Sequence, residues 1–177
     1  MYDCKLSHRR SKVNDRMIKW LKQEYESISK DGSEKTTVSR GKVKKYLGIN
    51  LDYTVRGQVH ITMIDFLDEV LIAFDKAEPK GIGIKTSAAG ENLFKVDEDC
   101  ENLPQSKTVQ FHNLVANNLY ANKRARTDTC TAVAFLTTRV QAPDLDDWDK
   151  MVHMMRYIRG TRTLPLILSA NGSGILK

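Results

Sequence analysis

The sequence has no apolar run approaching the roughly 20 residues that a membrane-spanning helix needs, so it predicts no contact with a membrane. Cysteine is scarce: Cys4, Cys100 and Cys130 are odd in number and far apart, with no CxxC pair and no zinc-type Cys/His spacing. That excludes a disulfide framework and points to reduced thiols. The opening MYDCKLSHRRSK lacks the apolar core of a secretory leader, so the expected location is intracellular, cytoplasmic or nuclear. There is no internal repeat and no low-complexity tract. Catalytic spacing is missing too. His8, His60, His112 and His153 have no ligand partner four residues on, and Gly81-Ile82-Gly83 lacks the strand and helix that frame a dinucleotide-binding turn. Asp97-Glu98-Asp99 reads as a solvated acidic loop, and Met151, Met154 and Met155 as core filler.

What is present is an ordinary soluble composition, 41% hydrophobic and 28% charged, with a net charge of +6. The excess is modest and spread along the chain, so it favours an anionic partner, nucleic acid before a neutral ligand.

The chain is organised around residues 111–140. Phe111, Leu114, Val115 and Leu119 form one face of a helix, and Cys130 to Leu136 a second helix apolar nearly all round, hence expected to be buried. Between them stand Lys123-Arg124-Ala125-Arg126, a cationic joint, and Thr127 or Asp128 as the expected cap of the second helix.

Before that joint, Asn14 to Ser27 carries a helical stripe (Met17, Ile18, Leu21, Tyr25), with Asn14 as cap and a turn at 30–33. Leu47, Ile49, Leu51 and Tyr53 alternate with polar neighbours, as do Val59, Ile61 and Met63. Tyr46 to Met63 therefore reads as an antiparallel hairpin turning near Arg56-Gly57, with Thr36 to Val43 as a possible preceding strand. Thr62 or Asp65 opens a short helix buried through Leu67, Val70, Leu71 and Phe74. Residues 75–105 hold two of the four prolines and three glycines and read as a long irregular connection containing a lobe boundary.

Asp144 to Arg159 is the last helix. Its first turn is acidic, its last basic, its stripe runs from Leu145 through Trp148, Met151, Val152, Met155 and Ile158, and Gly160 is its expected stop. Leu164 to Leu168 reads as a strand and 171–174 as a turn. The expected class is α+β: a small antiparallel sheet with an N-terminal helix (1–78), an irregular connection (79–105) and a mostly helical lobe (106–177).

Three words in this order carry a resemblance: Tyr46-Leu47-Gly48-Ile49-Asn50-Leu51-Asp52-Tyr53, Lys123-Arg124-Ala125-Arg126-Thr127-Asp128 and Met155-Arg156-Tyr157-Ile158-Arg159-Gly160-Thr161. Together they make the chain resemble, over nearly its whole length, the copia-type reverse transcriptases of long-terminal-repeat retrotransposons. In that family a YLG segment lies in the primer-grip hairpin, an R-P-D-I-like word begins a buried helix, and an R-Y-L-x-G-T-like word ends the helix before ribonuclease H. Here Thr127 replaces the usual proline.

The resemblance implies a position between two active sites: end of palm, thumb and connection. Aligned through Cys4-Lys5-Leu6-Ser7-His8, Asp3 matches the second aspartate of the family's Y-V-D-D turn while Tyr2 replaces the first. The complete family enzyme uses Mg²⁺; none is expected for this chain alone. Ile175-Leu176-Lys177 falls where the first ribonuclease H strand would begin. Lys44, Lys45, Lys123, Arg124 and Arg126 become candidate contacts to the phosphates of an RNA–DNA hybrid or duplex, and Tyr46, Leu47 and Gly48 candidates for placing the primer end. The implied function is part of an RNA-directed DNA polymerase, inactive alone. The alternatives are a non-enzymatic, sequence-indifferent nucleic-acid-binding module and an inert relic.

Overall fold

The computed structural model describes residues 4–6, 8, 10–26 and 36–170; Asp3 and the expected turns at 30–33 and 171–174 lie outside them. The first strands are β1 (Val43–Tyr46) and β2 (Ile49–Asp52), paired antiparallel so that Tyr46 faces Ile49. That register leaves only Leu47 and Gly48 to reverse the chain, with φ of 48° and 75°. Two consecutive positive φ values are the two-residue hairpin turn whose twist matches the strands it joins. The single strand expected across Tyr46 to Tyr53 is thus broken at its second residue. Alternation alone cannot register such a turn, because two residues preserve the period of two on either side. Of the preceding strand expected at 36–43, only Val43 is paired.

β3 (Gln58–Thr62) follows after a loop containing Gly57, and β4 (Leu166–Ser169) returns to pair with it, Ile61 opposite Leu166. The sheet order is β1-β2-β3-β4, antiparallel throughout. The strand expected at 164–168 therefore exists, starting two residues later and ending one later, and it belongs to the sheet begun more than a hundred positions earlier.

The helices are α1 (Ser11–Glu26), α2 (Ile64–Asp75), α3 (Gln105–Asn122), α4 (Cys130–Thr138) and α5 (Leu145–Thr161). With the sheet they make the α+β architecture the sequence predicts. α2 buries Leu67, Val70, Leu71 and Phe74, as its stripe requires, but it opens behind Met63 with no side-chain cap. Leu51 and Ile61 of the sheet, α2, and Phe111, Met151 and Ile158 of α3 and α5 share one apolar cluster. The connection after α2 is irregular as expected. Ala88, Leu93 and Leu103 within it are buried in that same cluster.

Other expectations are corrected. α4 buries only Ala132, Val133 and Leu136, leaving Cys130 and Ala134 exposed, so it is a surface helix with one inner stripe. A 3₁₀ turn at Thr127–Thr129 precedes it, Thr129 is its N-cap residue, and no side chain caps it. α5 begins in a reciprocal capping box: the Asp144 carboxylate accepts from the Asp147 N–H at 2.7 Å, and the Asp147 carboxylate from the Asp144 N–H at 3.2 Å. Its stripe is buried except Val152, which is half-buried against the core, and Leu145, the first residue of the helix, which is 42% exposed. The helix runs through Gly160 rather than stopping there. α1 starts at Ser11, so Asn14 sits inside it, and it contributes no buried residue: Val13, Met17, Trp20 and Tyr25 are exposed. Among the described residues no helix is long and apolar enough to cross a membrane.

Candidate nucleic-acid interface

The turn at Leu47-Gly48 favours glycine at its second position, because a φ of 75° is one that a residue with a Cβ rarely adopts. A Cβ there would make only an ordinary van der Waals contact with the Tyr120 hydroxyl, 3.7 Å away. That hydroxyl donates to the Leu47 carbonyl at 3.0 Å, pinning the hairpin tip onto the last turn of α3. The Tyr120 ring is held on its other side. Phe66, in the first turn of α2, lies 5.1 Å away centroid to centroid. The Arg124 guanidinium sits 3.5 Å from the ring centroid and donates to the Tyr120 carbonyl at 3.2 Å. A cation over an aromatic face at that distance is attracted by the ring quadrupole, which fixes Arg124 beside the tip.

Lys123, adjacent and exposed, is the C-cap of α3; its positive charge complements the negative end of the helix dipole. Leu47 is 50% exposed, whereas Tyr46 is half-buried and packs on the core. The words Tyr46-Leu47-Gly48 and Lys123-Arg124, more than seventy residues apart in sequence, meet through one tyrosine.

The remaining basic candidates go elsewhere. Lys44 and Lys45 are consecutive in a strand and so point to opposite faces. Lys44 donates to the Ser39 hydroxyl at 3.1 Å, and Lys45 forms an exposed ion pair with Asp65 at 2.6 Å. The hydrogen bond that Lys45 donates to Asp65, then the Asp65 charge, raises the Lys45 pKa, keeping the ammonium protonated.

Arg126 is not a surface residue at all, being 1% exposed. Its guanidinium donates to the Asp128 carboxylate at 3.0 and 2.7 Å and to the Thr161 hydroxyl at 2.7 Å. The expectation that it reaches phosphate is corrected: the 3₁₀ turn at Thr127–Thr129 brings Asp128 back to it, and α5 adds Thr161 and Tyr157 as partners. A cationic word in sequence gives no sign of which charge turns inward.

Sequence reasoning missed Tyr120, Phe66 and Asp65. The one signal available was Tyr120 four residues before Arg124, a spacing that makes helical neighbours. Among the described residues no three His, Cys, Asp or Glu side chains converge as a metal would require, and Asp3 lies outside that set. No protein-family model matches the chain, no curated protein matches it, and no solved structure matches it.

Proposed function

We propose that this chain is part of a copia-type RNA-directed DNA polymerase, the part that grips a primer–template by its backbone, and that it does not synthesise DNA by itself. The resemblance of its three sequence words supports the family. The observation that carries the function is the seating of the Leu47-Gly48 tip on Tyr120 beside Arg124 and Lys123. A rigid backbone turn next to two cations suits a phosphate backbone, which offers repeated negative charge and no sequence information. The tip is tethered by the Tyr120–Leu47 hydrogen bond, and Arg124 in turn holds Tyr120. Binding therefore costs little ordering of the tip, while Lys123 supplies a mobile charge that adapts to phosphate position. Such a surface takes up duplex without reading bases.

The test is binding of a labelled RNA–DNA hybrid at two salt concentrations. Affinity should fall steeply with salt. Lys123→Glu should weaken it and flatten the salt slope by roughly 0.9, the value for one phosphate left unneutralised. A slope unchanged by Lys123→Glu removes that residue from the interface. No binding at low salt by folded protein removes the reading. Template-dependent nucleotide incorporation with Mg²⁺ would show that the chain polymerises unaided.

A further inference from the structure

An acid stands inside the cationic surface, and it is bound to one of the cations. Asp65 lies in the first turn of α2, next to Phe66, whose ring lies tilted against Tyr120, the residue that bonds the hairpin tip. Its carboxylate accepts from the Lys45 ammonium at 2.6 Å, although the two side chains are 60% and 64% exposed. Glu69, one helical turn further along α2, adds its negative charge to the field at Lys45. So Arg124 is held on Tyr120, which seats the tip, while Lys45, two residues before Leu47, is paired with a carboxylate.

We propose that Asp65 is a built-in competitor for phosphate at this surface: it holds Lys45 in the free protein, and nucleic acid must take the ammonium from it. The inference rests on the nucleic-acid reading above. The physics favours a pair that opens readily. An ion pair between two exposed side chains is screened by water and salt and is worth little, so a phosphate carrying a full charge displaces the carboxylate at small cost. The carboxylate left behind then faces the incoming backbone and repels it. The pair thus sets an affinity ceiling and makes Lys45 available only to a ligand of sufficient charge density. A purely structural role for Asp65 exists as well, since a carboxylate in the first turn complements the helix dipole. That role would not connect Asp65 to Lys45 in binding.

A double-mutant cycle separates the two. Hybrid affinity is measured for the wild type, Asp65→Asn, Lys45→Gln and the double variant, with circular dichroism confirming that each is folded. Asp65→Asn should tighten binding about 1.5- to fivefold at low salt, the range open to one exposed ion pair. It should also steepen the salt slope by up to roughly 0.9. Lys45→Gln should abolish that gain. Equal tightening with and without Lys45 would mean that Asp65 acts only through net charge and would overturn the proposal, as would unchanged affinity in Asp65→Asn. A hybrid that binds none of the four folded proteins overturns the nucleic-acid reading itself, a result distinct from a cycle that shows binding without coupling. If Asp65→Asn does not fold, Asp65→Ser replaces it in the cycle, keeping a small polar group at the start of α2.

Discussion

Arg126 donates twice to one carboxylate and still leaves a terminal nitrogen buried with no hydrogen-bond partner. The Arg126 backbone carbonyl is tied down as well, accepting from the Asn122 amide at 3.1 Å and the Thr129 hydroxyl at 2.8 Å. Asp128 in turn accepts from the Tyr157 hydroxyl at 2.8 Å. The cluster therefore joins the end of α3, the 3₁₀ turn and α5 through polar groups alone. Asp128 keeps contact with solvent, so Arg126→Ala loses charged hydrogen bonds without burying an unpaired carboxylate and should destabilise by about 1–3 kcal/mol, read from urea unfolding. Burial works to raise the Asp128 pKa, but the hydrogen bonds from Arg126 and Tyr157 and the Arg126 charge outweigh it and leave the carboxyl below its usual value.

A depressed folded pKa contributes stability that is present above the unfolded value, near 4, and lost as pH falls through the folded one. Urea unfolding of the wild type at pH 7 and pH 3 should show that loss, and Asp128→Asn should show less of it. Equal pH dependence in both proteins would remove the pair from the account. None of this was legible in Lys123-Arg124-Ala125-Arg126: the same residue type occurs twice within three positions, once at the surface and once inside.

At the scale of elements, Gly160 is the clearest departure from helix propensity. In an isolated helix, replacing glycine with alanine gains about 1 kcal/mol. Here the 81–84 segment crosses α5 so closely that a Cβ on Gly160 would lie 2.1 Å from the Ile84 carbonyl oxygen. The segment cannot simply withdraw, since the Ile84 N–H donates to the Arg156 carbonyl at 3.0 Å. Gly83 makes the complementary approach, its added Cβ 2.7 Å from the Gly160 nitrogen. Gly160→Ala should therefore destabilise by about 1–3 kcal/mol, the cost of overpacking, rather than stabilise. A raised denaturation midpoint in this variant would mean that the crossing is loose. In sequence Gly160 reads as a stop, because glycine after a basic last turn is the usual mark of a helix end. The reason for it is a partner seventy-six positions away.

At the scale of the molecule, β4 closes the sheet from the far end of the chain, so the sheet and the later helices rest on one apolar cluster. α1 stands apart from that cluster, with Trp20 47% exposed, while Trp148 is 3% exposed within it. These are the only two tryptophans in the chain. In a Trp20→Phe background, Trp148 fluorescence and far-ultraviolet circular dichroism should report coincident urea transitions, as one shared core demands. Two separated transitions would restore the division into two lobes that the composition of 75–105 suggests.

The sequence alone determined the α+β class, the buried faces of α2, α3 and α5, and the irregular connection, because each is a local preference written in periodicity and turn chemistry. It also determined the positive charge. Tertiary structure decided where that charge goes: Arg126 inward onto Asp128, Arg124 onto Tyr120, Lys45 onto Asp65. It decided too that the strand breaks at Leu47-Gly48 and that α5 continues through Gly160. In each case the deciding partner lies elsewhere in the fold or in the geometry of a turn, and a pattern read along one segment carries no information about what that segment will meet.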